Sequence, residues 1–342
     1  MRRSHCGFGI ATGQRIGAGL PMLEAVREEL SKAVSAGPRG EGLVVMADMT
    51  VRGDGSVASS ENKLGEEVVK TWLITGCSSG FGQRLALAAA QRGDRVIATA
   101  RNVKTIEAMA EPFGGRMITL PLDVTDAAAA KAAVAKAVET FGGFEVLVNN
   151  AGYALFGAIE EGTPEEYRLM FEVNVFGLIE TTRAALPVLR RSGGTIVNMS
   201  SGAGIEGRGG GGYYHAAKFA VEGISEALAG ELKPFGIRVL IVEPGPFRTD
   251  FLGRSITMAA NEMPEHAATS RKHYRETNNG NQAGDPDKAI AVILRAVDAD
   301  DAPLHLPLGP IAHAIAERKL ASFRSDIDAW RDITIATDFD QP

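Results

Sequence analysis

The stretch from Thr71 to Gly82 reads TWLITGCSSGFG. A short apolar run stops at Gly76, and Gly80 and Gly82 then open a stretch predicted to be helical near Gly82 to Arg92. A strand that is apolar throughout is one buried on both faces. Glycines at its exit remove side chains where backbone N–H groups and the positive end of a helix can approach a pyrophosphate. Gly76, Gly80 and Gly82 are therefore binding candidates, although their spacing departs from G-x-G-x-x-G.

Downstream the same texture repeats. The runs RVIATA (95–100), MITLPLD (117–123), EVLVNN (145–150), GTIVNMSS (194–201) and IRVLIVEP (237–244) are apolar and short. Helical stretches fall between them, near 126–141, 163–190 and 213–233, followed by a helix at 286–297 and a last strand at 303–308. Alternating β and α units require parallel pairing with right-handed crossovers, so the predicted fold is a single doubly wound parallel α/β sheet of Rossmann type over residues 70–342. Residues 247–285 break the rhythm and are expected to form a lid, and an amphipathic tail ends the chain.

Upstream, residues 1–69 carry turn-forming clusters (GPRGEG, RGDGS, ASSEN) around one short predicted helix with Leu23, Val26, Leu30 and Val34 on its apolar face. They are expected to be a largely disordered extension. The GFGIATG at 7–13 has neither a strand before it nor an apolar helix after it, and so lacks the setting a phosphate loop needs.

Composition excludes several functions. Among 342 residues, Lys+Arg 36 against Asp+Glu 42 leaves a net charge of −6, which gives no basic excess for nucleic acid or anionic lipid. No run approaches the length of a membrane span. Cys6 and Cys77 offer neither a disulfide framework nor metal-ligand spacing, which points to a reducing, cytoplasmic setting without a bound metal.

The second strand tests the dinucleotide. An acidic residue at its end would bind the ribose hydroxyls of NAD, but Ala100 stands there and Arg101 follows, a pair suited to a 2′-phosphate. Asp123 ends the third strand, where it either accepts from an adenine amino group or starts the next helix. NNAG, Asn149 to Gly152, places small residues where a nicotinamide would pass, and Asn174 is a polar residue in an apolar helical setting that must find hydrogen bonds.

The most specific pattern is SSGAGIEGRGGGGYYHAAK, from Ser200 to Lys218. Tyr214 and Lys218 are one helical turn apart on one face, with Ser201 upstream at a strand end. A phenol with an ordinary pKa of about 10 needs a nearby ammonium to act in proton transfer near neutrality. Ser201 can bind a substrate oxygen while Tyr214 moves its proton. Tyr213 lacks the four-residue step to Lys218, and His215 points elsewhere on the helix. The GRGGGG run is expected to be a flexible loop beside the pocket. Phe247, Phe251, Leu252, Met258 and Met263 give the lid apolar character, while Arg271, Lys272 and Arg275 supply a basic cluster within it.

From about Thr71 to about Gly309 the chain resembles the short-chain dehydrogenase/reductase family, nearest in look to its hydroxysteroid and retinol dehydrogenase branch. TGCSSGFG resembles the family's TGxxxGxG, NNAG its fourth-strand motif, and EPGPFRTD its nicotinamide-contacting segment. The resemblance implies a catalytic set of Asn174, Ser201, Tyr214 and Lys218. It implies a dinucleotide site of Gly76, Ser78, Ser79, Gly80, Phe81, Gly82, Arg101, Asp123, Val124, Asn150, Ala151, Gly152, Tyr214, Lys218, Pro244, Gly245 and Thr249. Lys218 would also hold the nicotinamide ribose, and Asn174 would support a water-linked proton path. The expected cofactor is NADP(H), with NAD(H) possible, because Ser79 stands where many NADP-using members carry a basic residue. The expected substrate is a hydrophobic secondary alcohol, ketone or aldehyde, and the expected assembly is a homodimer or homotetramer through the two long helices. The alternatives are a dinucleotide sensor without turnover and a sugar-nucleotide epimerase or dehydratase.

Overall fold

The computed structural model describes residues 69–339; the expectations for residues 1–68 lie outside it. Seven strands form one parallel sheet in the order β3-β2-β1-β4-β6-β7-β9. They are β1 (Thr71–Ile74), β2 (Arg95–Ala100), β3 (Met117–Pro121), β4 (Val146–Asn149), β6 (Gly194–Met199), β7 (Ile237–Pro244) and β9 (His305–Leu308). Six were legible as apolar runs and the seventh as a short last strand. The register sets Ile74 beside both Ala98 and Val148, and Asn149 beside Asn198, so the carboxyl ends of the strands share one edge. Strand order reverses between β1 and β4, which opens a crevice at that edge.

Helices cover both faces. On one, α1 (Gly80–Gln91) and α6 (Pro286–Asp298) pack over Trp72, Ile74, Val96 and Val148. On the other, α2 (Ala127–Phe141), α4 (Gly177–Ser192) and α5 (Gly212–Leu232) pack over Leu73, Ile97, Leu147 and Ile196. Successive strand residues face opposite layers, which is why the inner strands are apolar almost throughout.

The predicted helix over 163–190 is three pieces. α3 (Pro164–Phe171) starts at a capping box between Thr163 and Glu166, a π-helical turn spans Glu172–Phe176, and α4 follows. The expected lid holds a three-residue strand, β8 (Ile256–Met258), which pairs in parallel with β5 (Ala154–Phe156) in a separate two-stranded sheet. Neither strand was anticipated, because three residues show no periodicity. The amphipathic tail is α7 (Pro310–Thr334); it buries Ala312 and Ile315, while Leu320, Phe323, Ile327 and Trp330 are exposed.

Candidate active site

A cavity of about 850 Å3 opens at the carboxyl edge of the sheet. The β1–α1 loop forms one wall. Gly76 has φ +71°, and a Cβ there would lie 2.8 Å from the Ala151 Cα. At Gly82 a Cβ would lie 2.3 Å from Asn150 Nδ2 and 2.5 Å from the Gly76 carbonyl oxygen, so only glycine lets α1 approach β4 this closely. Asn150 Nδ2 donates to the carbonyls of Thr75 and Gly76 at 2.9 and 3.0 Å, and the Thr75 hydroxyl accepts from the Asn150 and Ala151 amides. Space around Gly80 is open, and Ser79 makes no side-chain cap to α1, so the first-turn amides face the cavity unblocked. This cradle fits a dinucleotide pyrophosphate. Cys77 in the same loop is buried, which pushes its thiol up to about 12.

Arg101 lies exposed at the rim beside buried Ala100, with no acidic side chain at the end of β2. A second guanidinium joins it. Arg254, from the lid, donates to the Ser78 carbonyl at 3.0 Å and lines the same recess as Ser79 and Arg101. A basic group thus reaches the loop at Ser79 from 175 positions away in the chain. Asp123 accepts from the Thr125 amide and hydroxyl at 3.0 and 2.8 Å, whereas Asp126 caps α2, so the helix-start role belongs to Asp126 and Asp123 is left at the cavity wall.

At the inner end, Ser201, Tyr214 and Lys218 line the cavity together with Gly152, Pro244, Gly245 and Thr249. Ser201 caps the short helical turn Gly202–Ile205. Burial pushes the Tyr214 phenol up to about 12, against a hydrogen bond with Ser201 that favours ionisation. Lys218 Nζ is 5.8 Å from the centre of the Tyr214 ring and donates to the Met199 carbonyl at 2.7 Å. Burial lowers its ammonium to about 8, and the charge of Glu222 one turn along α5 works the other way. Burial thus favours a neutral phenol at Tyr214 and makes the adjacent Lys218 ammonium easier to discharge.

Every residue expected at the site lines this cavity except Gly82 and Asn174, which stand just behind its wall. The buried Asn174 amide neither mends its own helix nor points into the cavity. It donates to the Tyr153 carbonyl at 2.7 Å and accepts from the Tyr153 amide at 2.9 Å, and a Cβ on Gly152 would lie 2.8 Å from its oxygen. Asn174 sits within the π-helical turn Glu172–Phe176.

Tyr213 turns away and stacks on Tyr167, ring centres 5.0 Å apart. His215 is buried, bonds the Ala203 carbonyl at 3.0 Å and steadies the turn after Ser201; burial lowers its pKa. The glycine run is not loose along its whole length. Gly210 and Gly211 are buried, and the Gly157 amide bonds the Gly210 carbonyl at 3.0 Å. Of the lid's apolar residues, Phe247, Phe251 and Leu252 reach the cavity, with Phe247 edge-on to Phe81 and Phe251 5.9 Å from Tyr214. Met258 instead packs with β5, and Met263 lies outside the lining.

Behind Lys218 lies a group not anticipated from sequence. Glu222 bonds the Ser200 hydroxyl, and Glu243 meets His305 Nδ1 at 2.9 Å. Burial raises Glu222 to about 7 and also raises Glu243. Only the four-residue step from Lys218 to Glu222 was visible in the chain.

Comparison with known proteins places this fold in a family. Residues 70–259 match the family model "short chain dehydrogenase", and the chain belongs to that oxidoreductase family. It is 34% identical over 273 residues to oxidoreductase BOA17 of Botryotinia fuckeliana, covering 79% of this chain and 100% of that protein. Retinol dehydrogenase 7 of Mus musculus is 40% identical over 52% of this chain and 57% of its own length. The solved short-chain dehydrogenase of Streptomyces avermitilis is 41% identical, with a TM-score of 0.74 over 80% of this chain and 100% of that one.

Proposed function

We propose that this chain is an NADP-preferring oxidoreductase that interconverts a secondary alcohol and a ketone or aldehyde. The observation that carries the reading is the convergence of Ser201, Tyr214 and Lys218 on one cavity with the glycine cradle at its other end. The cofactor preference rests on Arg101 and Arg254 beside Ala100, two guanidinium groups where a 2′-phosphate would sit.

A bound reduced dinucleotide supplies a hydride to the carbonyl carbon. Ser201 donates a hydrogen bond to the carbonyl oxygen, and Tyr214, kept as a neutral phenol by burial, gives that oxygen its proton. The Lys218 ammonium stabilises the phenolate left behind and holds the ribose hydroxyls. Oxidation runs the same steps backwards, with Tyr214 accepting the alcohol proton. Asn174 holds Tyr153 and, with it, the turn that carries Gly152.

Apolar walls from Leu155, Phe156, Phe251, Leu252 and Ile315 suit a hydrophobic substrate. Phe176, just before α4, and Phe219, on α5, are 49% and 41% exposed and support a homodimer or homotetramer through the long helices. Among the described residues no helix is long and apolar enough to cross a membrane, and the chain's two cysteines fit a cytoplasmic setting. An NADPH-oxidation screen over ketones and aldehydes tests the reading: no turnover of any, with dinucleotide bound, would leave a sensor instead.

A further inference from the structure

The lid's three clustered basic residues have separate fates. Lys272 is exposed and pairs with Glu262 at 3.2 Å. Arg275 donates to the carbonyls of Leu252 and Gly253 at 2.8 and 2.6 Å. Arg271 alone enters the cavity wall, and among the described residues its guanidinium has no hydrogen-bond acceptor and no ion-pair partner. Its Cζ lies 5.2 Å from the ring centres of both Phe156 and Tyr274. Phe156 in turn lies 6.3 Å from the ring of Tyr214. The charge therefore stands one aromatic ring away from the proton-transfer tyrosine.

The backbone is shaped to put it there. A Cβ on Gly210 would lie 2.2 Å from the Thr269 carbonyl oxygen and 3.0 Å from Arg271 Cγ, and one on Gly211 would lie 3.7 Å from Arg271 Cδ. The glycine run thus lets the lid segment 269–271 lie against the chain just before the tyrosines, with the Arg271 stem across it. Nearby acids are committed elsewhere. Glu206 pairs with Arg208 and Arg318, which hold its carboxyl down at about 2, and Glu166 accepts the Thr163 and Ala260 amides. A half-buried guanidinium flanked by two rings and lacking any anion is incompletely compensated for the water it has lost.

We propose that Arg271 anchors a carboxylate on the substrate, so that the substrate is an apolar hydroxy or keto compound with an acidic group about one ring's length from the reacting carbon. This rests on the proposed carbonyl reduction for the reacting end, but the anion site itself is tested by binding.

Calorimetry with NADP+ present would compare benzoate, 4-phenylbutanoate and decanoate with their primary amides on wild type, Arg271→Met and Arg271→Lys. At least one carboxylate should bind wild type about tenfold or more tighter than its amide. Arg271→Met, which keeps the stem and loses the charge, should bring each pair to within about twofold, and Arg271→Lys should keep part of the preference. If Arg271→Met fails to fold by thermal unfolding, Arg271→Gln takes its place. Equal binding of acid and amide by wild type, or an unchanged preference without the charge, overturns the proposal. Reduction of 4-acetylbenzoate and its methyl ester with NADPH separates the two readings. An acid preference in binding with neither ketone reduced would sink carbonyl reduction and leave the anion site standing. Equal reduction of both by wild type and Arg271→Met would do the reverse.

Discussion

Removing the guanidinium of Arg101 should change which dinucleotide the protein prefers. A charge-assisted contact to a phosphate is worth roughly 1.5 to 3 kcal/mol, and Arg101 is exposed, so water and salt hold the gain to the lower end. Arg101→Ala should then raise the Kd for NADPH about tenfold at physiological ionic strength and leave NADH nearly unchanged. Arg254 is 60% exposed at its side chain, donates to the Ser78 carbonyl at 3.0 Å and sits 3.6 Å from Asp250. Part of its charge is already engaged, so Arg254→Ala should cost NADPH less, about threefold to tenfold. Both groups address one phosphate, and the double variant should lose less than the product of the single effects. Ala100→Asp should repel the phosphate and offer an acceptor to the ribose hydroxyls, moving preference toward NADH. Fluorescence titration of both reduced dinucleotides, repeated at two salt concentrations, measures all of this. If wild type binds NADH and NADPH alike, or Arg101→Ala weakens both alike, Arg101 is a solvated surface residue and the NADP assignment falls.

Tyr214→Phe keeps the ring against Phe156 and Phe251 but removes the proton donor; turnover should fall by about 10² to 10⁴ with dinucleotide affinity intact, and retention of a tenth of kcat would refute the role. Lys218→Met should weaken dinucleotide binding as well, a difference that parallel titrations resolve. Because the Lys218 ammonium is lost as pH rises through about 8, ketone reduction should decline there. Glu222→Gln, which removes the charge that opposes this loss, should move the declining limb of the pH profile to lower pH. The same substitution bears on stability. The Glu222 carboxyl titrates near 7 in the fold, above its ordinary value of 4.5, so the stability linked to its proton is complete below 4.5 and lost as pH rises through 7. Thermal unfolding of Glu222→Gln should therefore fall less between pH 5 and pH 8 than that of wild type. Gly82→Ala should destabilise the protein by about 2 kcal/mol or more, since the new Cβ must displace Asn150 from its two carbonyls, and a chemical denaturation curve that matches wild type would contradict the close approach.

The parts of this molecule that could be read from the chain are those whose meaning is local. The inner sheet strands announce themselves because both their faces are buried and their residues are mostly apolar, whereas the edge strands β3 and β9 are only partly buried. Gly76 and Gly82 are legible for a related reason: a strand-to-helix turn makes each glycine's position meaningful before its contacts are known. Tyr214 and Lys218 share a helix face, so their spacing alone brings them together. The three-residue strands β5 and β8 could not be found this way, since their pairing joins segments about a hundred positions apart.

The basic and acidic groups around the site show where local reading ends. Arg254, Arg271 and Arg275 sit within one polar stretch, and nothing in their flanking residues separates them. Their roles diverge through what meets them in space. Arg254 comes down on the β1–α1 loop, Arg275 closes the carbonyl end of a short helical turn, and Arg271 crosses a pair of glycines to face an aromatic wall. Glu222 became significant only when β7 and β9 brought Glu243 and His305 against it, beyond the reach of any helical period. The glycines at 210 and 211 belong to both groups. Composition made them look like slack in the chain, yet the structure fills the space above them with the lid, so what a missing side chain is for depends on which segment occupies the space it leaves.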